Sequence, residues 1–125
     1  MLTKQINMNT VLWIAQGILA AMFLMGGMMK LFQPIEKIAQ SGPWAARKPA
    51  SLVRTIGVAE ISGALGLILP MLLDILPILT PIAACALGLI MILAAMEHAK
   101  FKENKMIPVN LFLLVLCIFV AYGRF

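Results

Sequence analysis

The sequence predicts an all-α integral membrane protein, a four-helix bundle in which all four helices are transmembrane. Three observations predict this class. Of the 125 residues, 62% are hydrophobic and only 12% are charged, whereas soluble domains are about half apolar and a quarter charged. The apolar residues fall into four runs, each long enough to cross about 30 Å of hydrocarbon. A chain of this length has too little interior to bury so much apolar surface in water.

The four predicted spans cover residues 10–32, 52–73, 77–98 and 106–123, within a single transmembrane domain over 1–125. The first is longer than the core of a signal peptide and lacks a small-residue cleavage site, so we expect it to be retained. The second inserts least readily because it carries Arg54 and Glu60, and a charge at a helix centre costs about 2.5–3.5 kcal/mol. Its many Leu, Ile and Val residues offset this cost.

The loop 33–51 is expected to lie on the membrane surface and to contain a short amphipathic helix. Proline suits the first position of a helix, so the sequence predicts this helix from Pro34 to Gln40. Trp44, Arg47 and Lys48 follow it, and these residue types favour the level of the lipid head groups.

The distribution of basic residues predicts the orientation. One side of the membrane receives eight of them: Lys30, Lys37, Arg47, Lys48, Arg54, Lys100, Lys102 and Lys105. The other side receives only Lys4 and Arg124. The positive-inside rule therefore places loops 33–51 and 99–105 in the cytoplasm and both termini outside. Orientation also accounts for the net charge of +5, and no basic stripe with interleaved aromatics indicates nucleic-acid binding.

Glu60 is the deepest charged residue of the predicted spans, and ionisable residues at such depth are functional candidates. Its helix face carries small residues, namely Gly57, Gly63, Ala64 and, beside them, Gly66. Small residues at this spacing let helices approach closely, so we assign these four a structural role and expect Glu60 to face protein. Two interpretations stay open: a carboxylate that serves packing alone, or a ligand contact or proton carrier.

Lys30, near the end of span one, is the second candidate. It either extends to the lipid head groups or reaches Glu60 across the helix pair. Arg54 is the competing partner of Glu60, although six residues on one helix place the two side chains on different faces.

His98 and Asn110 complete the candidate ligand-binding set. His98 closes span three, and Asn110 lies about one turn into span four, where an amide commonly bonds across helices. Metal binding needs more ligands than one histidine with a neighbouring Glu97 on another face, so no metal is expected. The sequence contains no nucleophile motif, phosphate loop or zinc-protease motif, and it identifies no catalytic residue.

The most distinctive stretch is G-x-x-E-x-x-G-A-x-G-L, from Gly57 to Leu67. It is accompanied by Gly27, Lys30 and Leu31 in span one, His98 in span three, and Asn110 with F-V-A-Y-G-R at 119–124 in span four. Together these residues resemble the DoxX-like family of small bacterial membrane proteins, over residues 8–125. The resemblance implies a four-helix bundle in the bacterial inner membrane.

On function the resemblance implies two alternatives. Some members are subunits of an archaeal thiosulfate:quinone oxidoreductase or are associated with redox-defence complexes. A eukaryotic relative is an assembly chaperone. The chain is therefore expected to be a redox-linked accessory subunit with a bound quinone between its helices, or a scaffold or assembly chaperone for a partner membrane protein. In the first case Lys30, His98 or Asn110 donates a hydrogen bond to the head group and Glu60 exchanges protons. Substrate turnover and pairing with a second copy stay open.

Overall fold

The computed structural model describes residues 7–125, and over these residues the chain forms helices and no strands. The helices are α1 (Met8–Phe32), α2 (Ile35–Ser41), α3 (Trp44–Arg47), α4 (Ala50–Leu72), α5 (Leu79–Lys100) and α6 (Ile107–Arg124). Four of them, α1, α4, α5 and α6, are long and apolar enough to cross a membrane. The predicted fold class is confirmed.

Local chemistry sets the ends of these helices. The side chain of Asn7 accepts a hydrogen bond from the Thr10 amide, so α1 begins two residues before the predicted span. Pro49 precedes α4, which begins at Ala50. Helix α5 begins at Leu79, two residues after the predicted start, and Pro81 lies in its first turn, where a missing amide hydrogen costs nothing.

The long helices pack in a ring in the order α1, α4, α5, α6, with α6 closing on α1. Apolar side chains from all four fill the centre, the most enclosed being Leu19, Phe23, Leu67, Leu87 and Val120. Most large apolar side chains on the outer faces are exposed, as expected for helices surrounded by lipid.

The amphipathic segment predicted in the first loop is present as α2 and α3. Pro34 precedes α2 rather than occupying its first position. Ile38 and Ala45 are buried and pack with Val53 of α4 and with Met29 of α1, while Lys37 is exposed. The segment therefore lies against one end of the bundle.

Polar contacts show which connections share an end. Counted between the four long helices, the first connection joins α1 to α4 and the third joins α5 to α6. Arg47 in the first connection contacts Glu97 and Glu103 around the third, so these connections lie at one end, here called the loop end. At the opposite end Arg124 of α6 contacts Asn9 of α1. Lys4, one of the basic residues used to predict the orientation, lies outside the described residues.

Candidate functional site

The Lys30 ammonium group and the Glu60 carboxylate form an ion pair between α1 and α4. Their Nζ and Oε1 atoms are 2.7 Å apart. The Glu60 side chain is 3% exposed and that of Lys30 is 20% exposed, so the carboxylate is enclosed while the ammonium group remains partly accessible. Of the two sequence interpretations for Lys30, the structure has the contact with Glu60.

Two glycines bring α1 and α4 close enough for this pair. A Cβ atom added at Gly27 would lie 2.8 Å from the Gly57 carbonyl oxygen, and one added at Gly57 would lie 2.8 Å from the Gly27 carbonyl oxygen. Each glycine precedes one member of the pair by three residues, which is about one helical turn. The crossing therefore determines the distance that Lys30 must span.

Arg54 does not compete for Glu60. Its guanidinium group donates hydrogen bonds to the main-chain carbonyls of Lys30 and Gln33 at the end of α1. These carbonyls have no partner within their own helix, so Arg54 caps α1 and holds the backbone that carries Lys30.

Trp44 of α3 lies beside the pair. The Lys30 ammonium group is 6.0 Å from the centre of the Trp44 ring, at the outer limit of a cation–π contact. Trp44 also packs on the small apolar cluster of Ile38, Ala45 and Val53. The first connection thus places an aromatic ring next to the exposed member of the ion pair.

The other two predicted ligand residues have different partners. His98 is buried, and its Nδ1 atom is 2.9 Å from Glu103 Oε1. Asn110, also buried, donates from Nδ2 to the sulfur of Met91 at 3.6 Å. Within residues 7–125, no hydrogen bond connects either residue to Lys30 or Glu60, so hydrogen bonding joins only two of the four candidates.

The predicted small residues of α4 lie at two helix contacts. Gly57 meets α1 as described, whereas a Cβ atom at Gly63 would lie 2.7 Å from the Leu87 side chain and one at Gly66 would lie 2.9 Å from Ala83, both on α5. Ala64 is buried in the central core. These positions are occupied by contacts within the bundle.

A charge network that no sequence pattern indicated ties the first connection to the third. Arg47 donates hydrogen bonds to Glu103 at 3.0 and 3.1 Å and to Glu97 at 3.2 Å. Lys48 contacts the same Glu97 carboxylate at 3.3 Å. His98 adds its bond to Glu103, so the network fixes both connections at the loop end.

The pKa of Glu103 sets the pH below which this network loses a negative charge. Its hydrogen bonds with Arg47 and then with His98 lower the pKa of Glu103 from 4.5 to about 2. A carboxyl group whose folded-state pKa is lowered stabilises the fold fully above its ordinary pKa. That stabilisation is lost as the pH falls through the folded-state value.

We expect Glu103→Gln to lower the free energy of unfolding by about 1 kcal/mol at pH 6, the scale of a solvent-screened pair. The difference from wild type should close between about pH 4.5 and 2, because the wild-type carboxylate then loses the same charge. Chemical unfolding in non-ionic micelles at several pH values measures it. Glu36→Gln, at an exposed position on α2, is the control and should show no difference. A difference that persists unchanged at pH 2 would count against the network.

A second unforeseen polar cluster lies at the end opposite the loop end. Gln16 is fully buried, donates to the Leu67 carbonyl at 2.6 Å and accepts from Arg124 Nε at 2.7 Å. Arg124 also donates to Asn9 Oδ1 at 2.7 Å. Gln16 is the one strongly polar residue of the first apolar run. Its isolation there is the sequence feature that indicates a buried polar contact.

Grooves between the helices are apolar. One of about 500 Å³ lies between α5 and α6 and includes both free cysteines, Cys85 and Cys117. Another of about 200 Å³ lies between α1 and α4. Neither is lined by the ion pair, His98 or Asn110. Within the described part of the chain, no three His, Cys, Asp or Glu side chains group as metal ligands.

The profile of the DoxX-like family matches residues 14–120, which confirms the resemblance seen in the sequence. No curated protein and no solved structure matches the chain.

Proposed function

The chain belongs to the DoxX-like family, and we propose that it is a redox-linked accessory subunit in the bacterial inner membrane whose Lys30–Glu60 pair binds the head group of a quinone-like molecule. The observation that carries the proposal is this ion pair itself, a donor and an acceptor 2.7 Å apart between two membrane-spanning helices. Ionisable groups within membrane-spanning helices are rare, and they mark substrate, ion or proton pathways.

The chemistry of the pair suits such a head group. The Lys30 ammonium group is the partly accessible member, and it would donate a hydrogen bond to a head-group oxygen. The Glu60 carboxylate would hold or release the proton that the head group exchanges. An isoprenoid tail would lie along the apolar outer surfaces of the helices. His98 and Asn110 bond Glu103 and Met91 and not the Lys30–Glu60 pair, so the proposal gives them a secondary part.

The two tryptophans allow a direct test. Trp44 is near Lys30, whereas Trp13 lies near Arg124 at the other end of the bundle. Trp13→Phe leaves a reporter at the site, and Trp44→Phe leaves one far from it. A short-chain quinone titrated into the purified protein should quench Trp44 with saturation and Trp13 only in proportion to concentration.

Glu60→Gln in the Trp13→Phe background should raise the Kd of the quinone, read from the saturable quenching, by at least about tenfold. The reason is that a hydrogen bond to a charged group contributes about 1.5–3 kcal/mol. Lys37→Gln, at an exposed position on α2, is the matched control and should bind as the parent does. Equal, non-saturating quenching of both tryptophans would reject the site.

A scaffold or assembly chaperone is the second candidate. It is favoured by the satisfaction of polar groups within the bundle, because no buried side-chain nitrogen or oxygen in the described residues lacks a partner. In that case Glu60→Gln would change the yield of a crosslinked partner protein in native membranes without changing any redox rate.

The proposal keeps the predicted topology, with loops 33–51 and 99–105 in the cytoplasm and both termini outside. It is supported by the contacts that place the first and third connections at the same end of the bundle. A single bundle is the proposed unit, since several glycines suited to pairing two copies already face α1 or α5.

A further inference from the structure

The third connection, between α5 and α6, separates its acidic residue from its basic ones. Glu103 is 14% exposed and bonds with Arg47 and His98, and its amide donates to the His98 carbonyl at 2.8 Å. Lys100, Lys102 and Lys105 are exposed. None of the three lies within 4.0 Å of a carboxylate in the part of the chain that the structure describes.

The other charges of the loop end are largely neutralised by one another. Glu60 takes Lys30, and Glu97 takes Arg47 and Lys48. Arg54 keeps its positive charge, but its guanidinium group is partly buried and directed at main-chain carbonyls. Glu36 and Lys37 are exposed neighbours on α2, and their opposite charges add to zero. What this end presents outward is therefore the three lysines of the third connection, here called the lysine surface.

The position of this surface limits its partner. Only six residues separate α5, which ends at Lys100, from α6, which begins at Ile107. So short a connection between two membrane-spanning helices keeps its ammonium groups at the level of the lipid head groups. Phe101, exposed among the lysines, is an aromatic residue of the kind found at that level. Lysine stems reach along apolar surface and leave the charge at the phosphates.

We propose that Lys100, Lys102 and Lys105 form a binding surface for the head groups of anionic phospholipids. The partner chemistry follows from charge complementarity, since clustered lysines beside a transmembrane helix attract anionic lipid. Arg47 and His98 serve this surface by withdrawing the Glu103 carboxylate, which would otherwise compete with the lipid phosphates. The proposal concerns the third connection alone and is independent of a ligand at Lys30 and Glu60.

The test uses the full chain in nanodiscs of phosphatidylcholine with a minor fraction of phosphatidylglycerol, at low salt. Native mass spectrometry measures which lipids stay bound after the disc is released. Wild type should enrich phosphatidylglycerol at least about fivefold over its share of the disc, the scale of one lysine at an anionic surface. Raising the salt concentration should reduce the enrichment.

Two triple variants distinguish an effect of the lysine charges from an effect of the substitutions on folding. Lys100→Gln, Lys102→Gln and Lys105→Gln together should bring the enrichment below about twofold, while the three Lys→Arg changes should retain it. Equal enrichment by the glutamine variant and wild type would overturn the proposal, as would no enrichment by wild type. Loss of the effect on adding millimolar inorganic phosphate at constant ionic strength would also overturn it, because the surface would then be a site for free phosphate.

Discussion

Replacing Lys30 by methionine lowers the free energy of unfolding by about 3 kcal/mol, the largest loss that we expect from a single side chain in this bundle. The Glu60 carboxylate, 3% exposed, would lose its counter-charge and stay among apolar helices. Removing one member of a buried ion pair typically costs about 3–5 kcal/mol. Unfolding of the purified protein by added denaturing detergent in mixed micelles measures the loss.

The order of the variants makes this prediction specific to the pair. Glu60→Gln should cost less, about 1 kcal/mol, because the partly exposed Lys30 can extend toward the head groups. Lys30→Met with Glu60→Met should recover most of the loss, since replacing both members with apolar groups is often near neutral. Lys37→Met, at an exposed lysine on α2, should stay within about 0.5 kcal/mol of wild type. If Lys30→Met were as mild as Lys37→Met, the ion pair would not stabilise the fold.

Gly57→Ala is expected to cost about 2–3 kcal/mol. Its added methyl group would lie 2.8 Å from the Gly27 carbonyl oxygen and 3.0 Å from the Leu31 amide nitrogen. Both are main-chain atoms, which cannot rotate away as a flexible side chain can, so α1 and α4 must separate. Overpacking of this kind typically costs about 1–3 kcal/mol. Separation also lengthens the Lys30–Glu60 contact, so the cost should fall at the upper end.

The same chemical change elsewhere in the bundle provides the control. Gly27→Ala should behave like Gly57→Ala because its methyl group meets the Gly57 carbonyl and Ile61. Gly17→Ala, also on α1, places its methyl group where nothing lies within 4 Å. That variant should be neutral or slightly stabilising, since alanine favours helix. Equal stability for the Gly17 and Gly27 variants would contradict a close crossing at Gly27.

The sequence predicts the helices of this protein well because each span must be apolar over a fixed length. Among the large apolar residues it does not predict which face turns inward, because lipid and the protein interior are similarly apolar. Ile18 and Leu19 illustrate this: they are similar neighbours in one run, yet Ile18 is 41% exposed and Leu19 is fully buried. Only small and polar residues mark the inner face.

This distinction explains how far the site could be foreseen. Glu60 among small residues indicated a packed face, and Lys30 was one of two partners considered for it. The Gln16–Arg124 contact joins residues 108 positions apart, and neither residue has neighbours that indicate the other. The tie between Arg47 and Glu103 depends on how two connections meet at the loop end. Such pairings follow from helix rotation and order, which local patterns do not encode.

The redox-linked function depends on a small molecule held by Lys30 and Glu60, and one measurement tests this directly. The protein is purified gently from its native membrane, and mass spectrometry records the small molecules and the proteins that remain bound. Our account predicts a quinone or a similar aromatic head group bound to wild type and to Lys37→Gln, and lost in Glu60→Gln. A bundle without such a molecule, carrying a stoichiometric partner protein in wild type and variant alike, would contradict it.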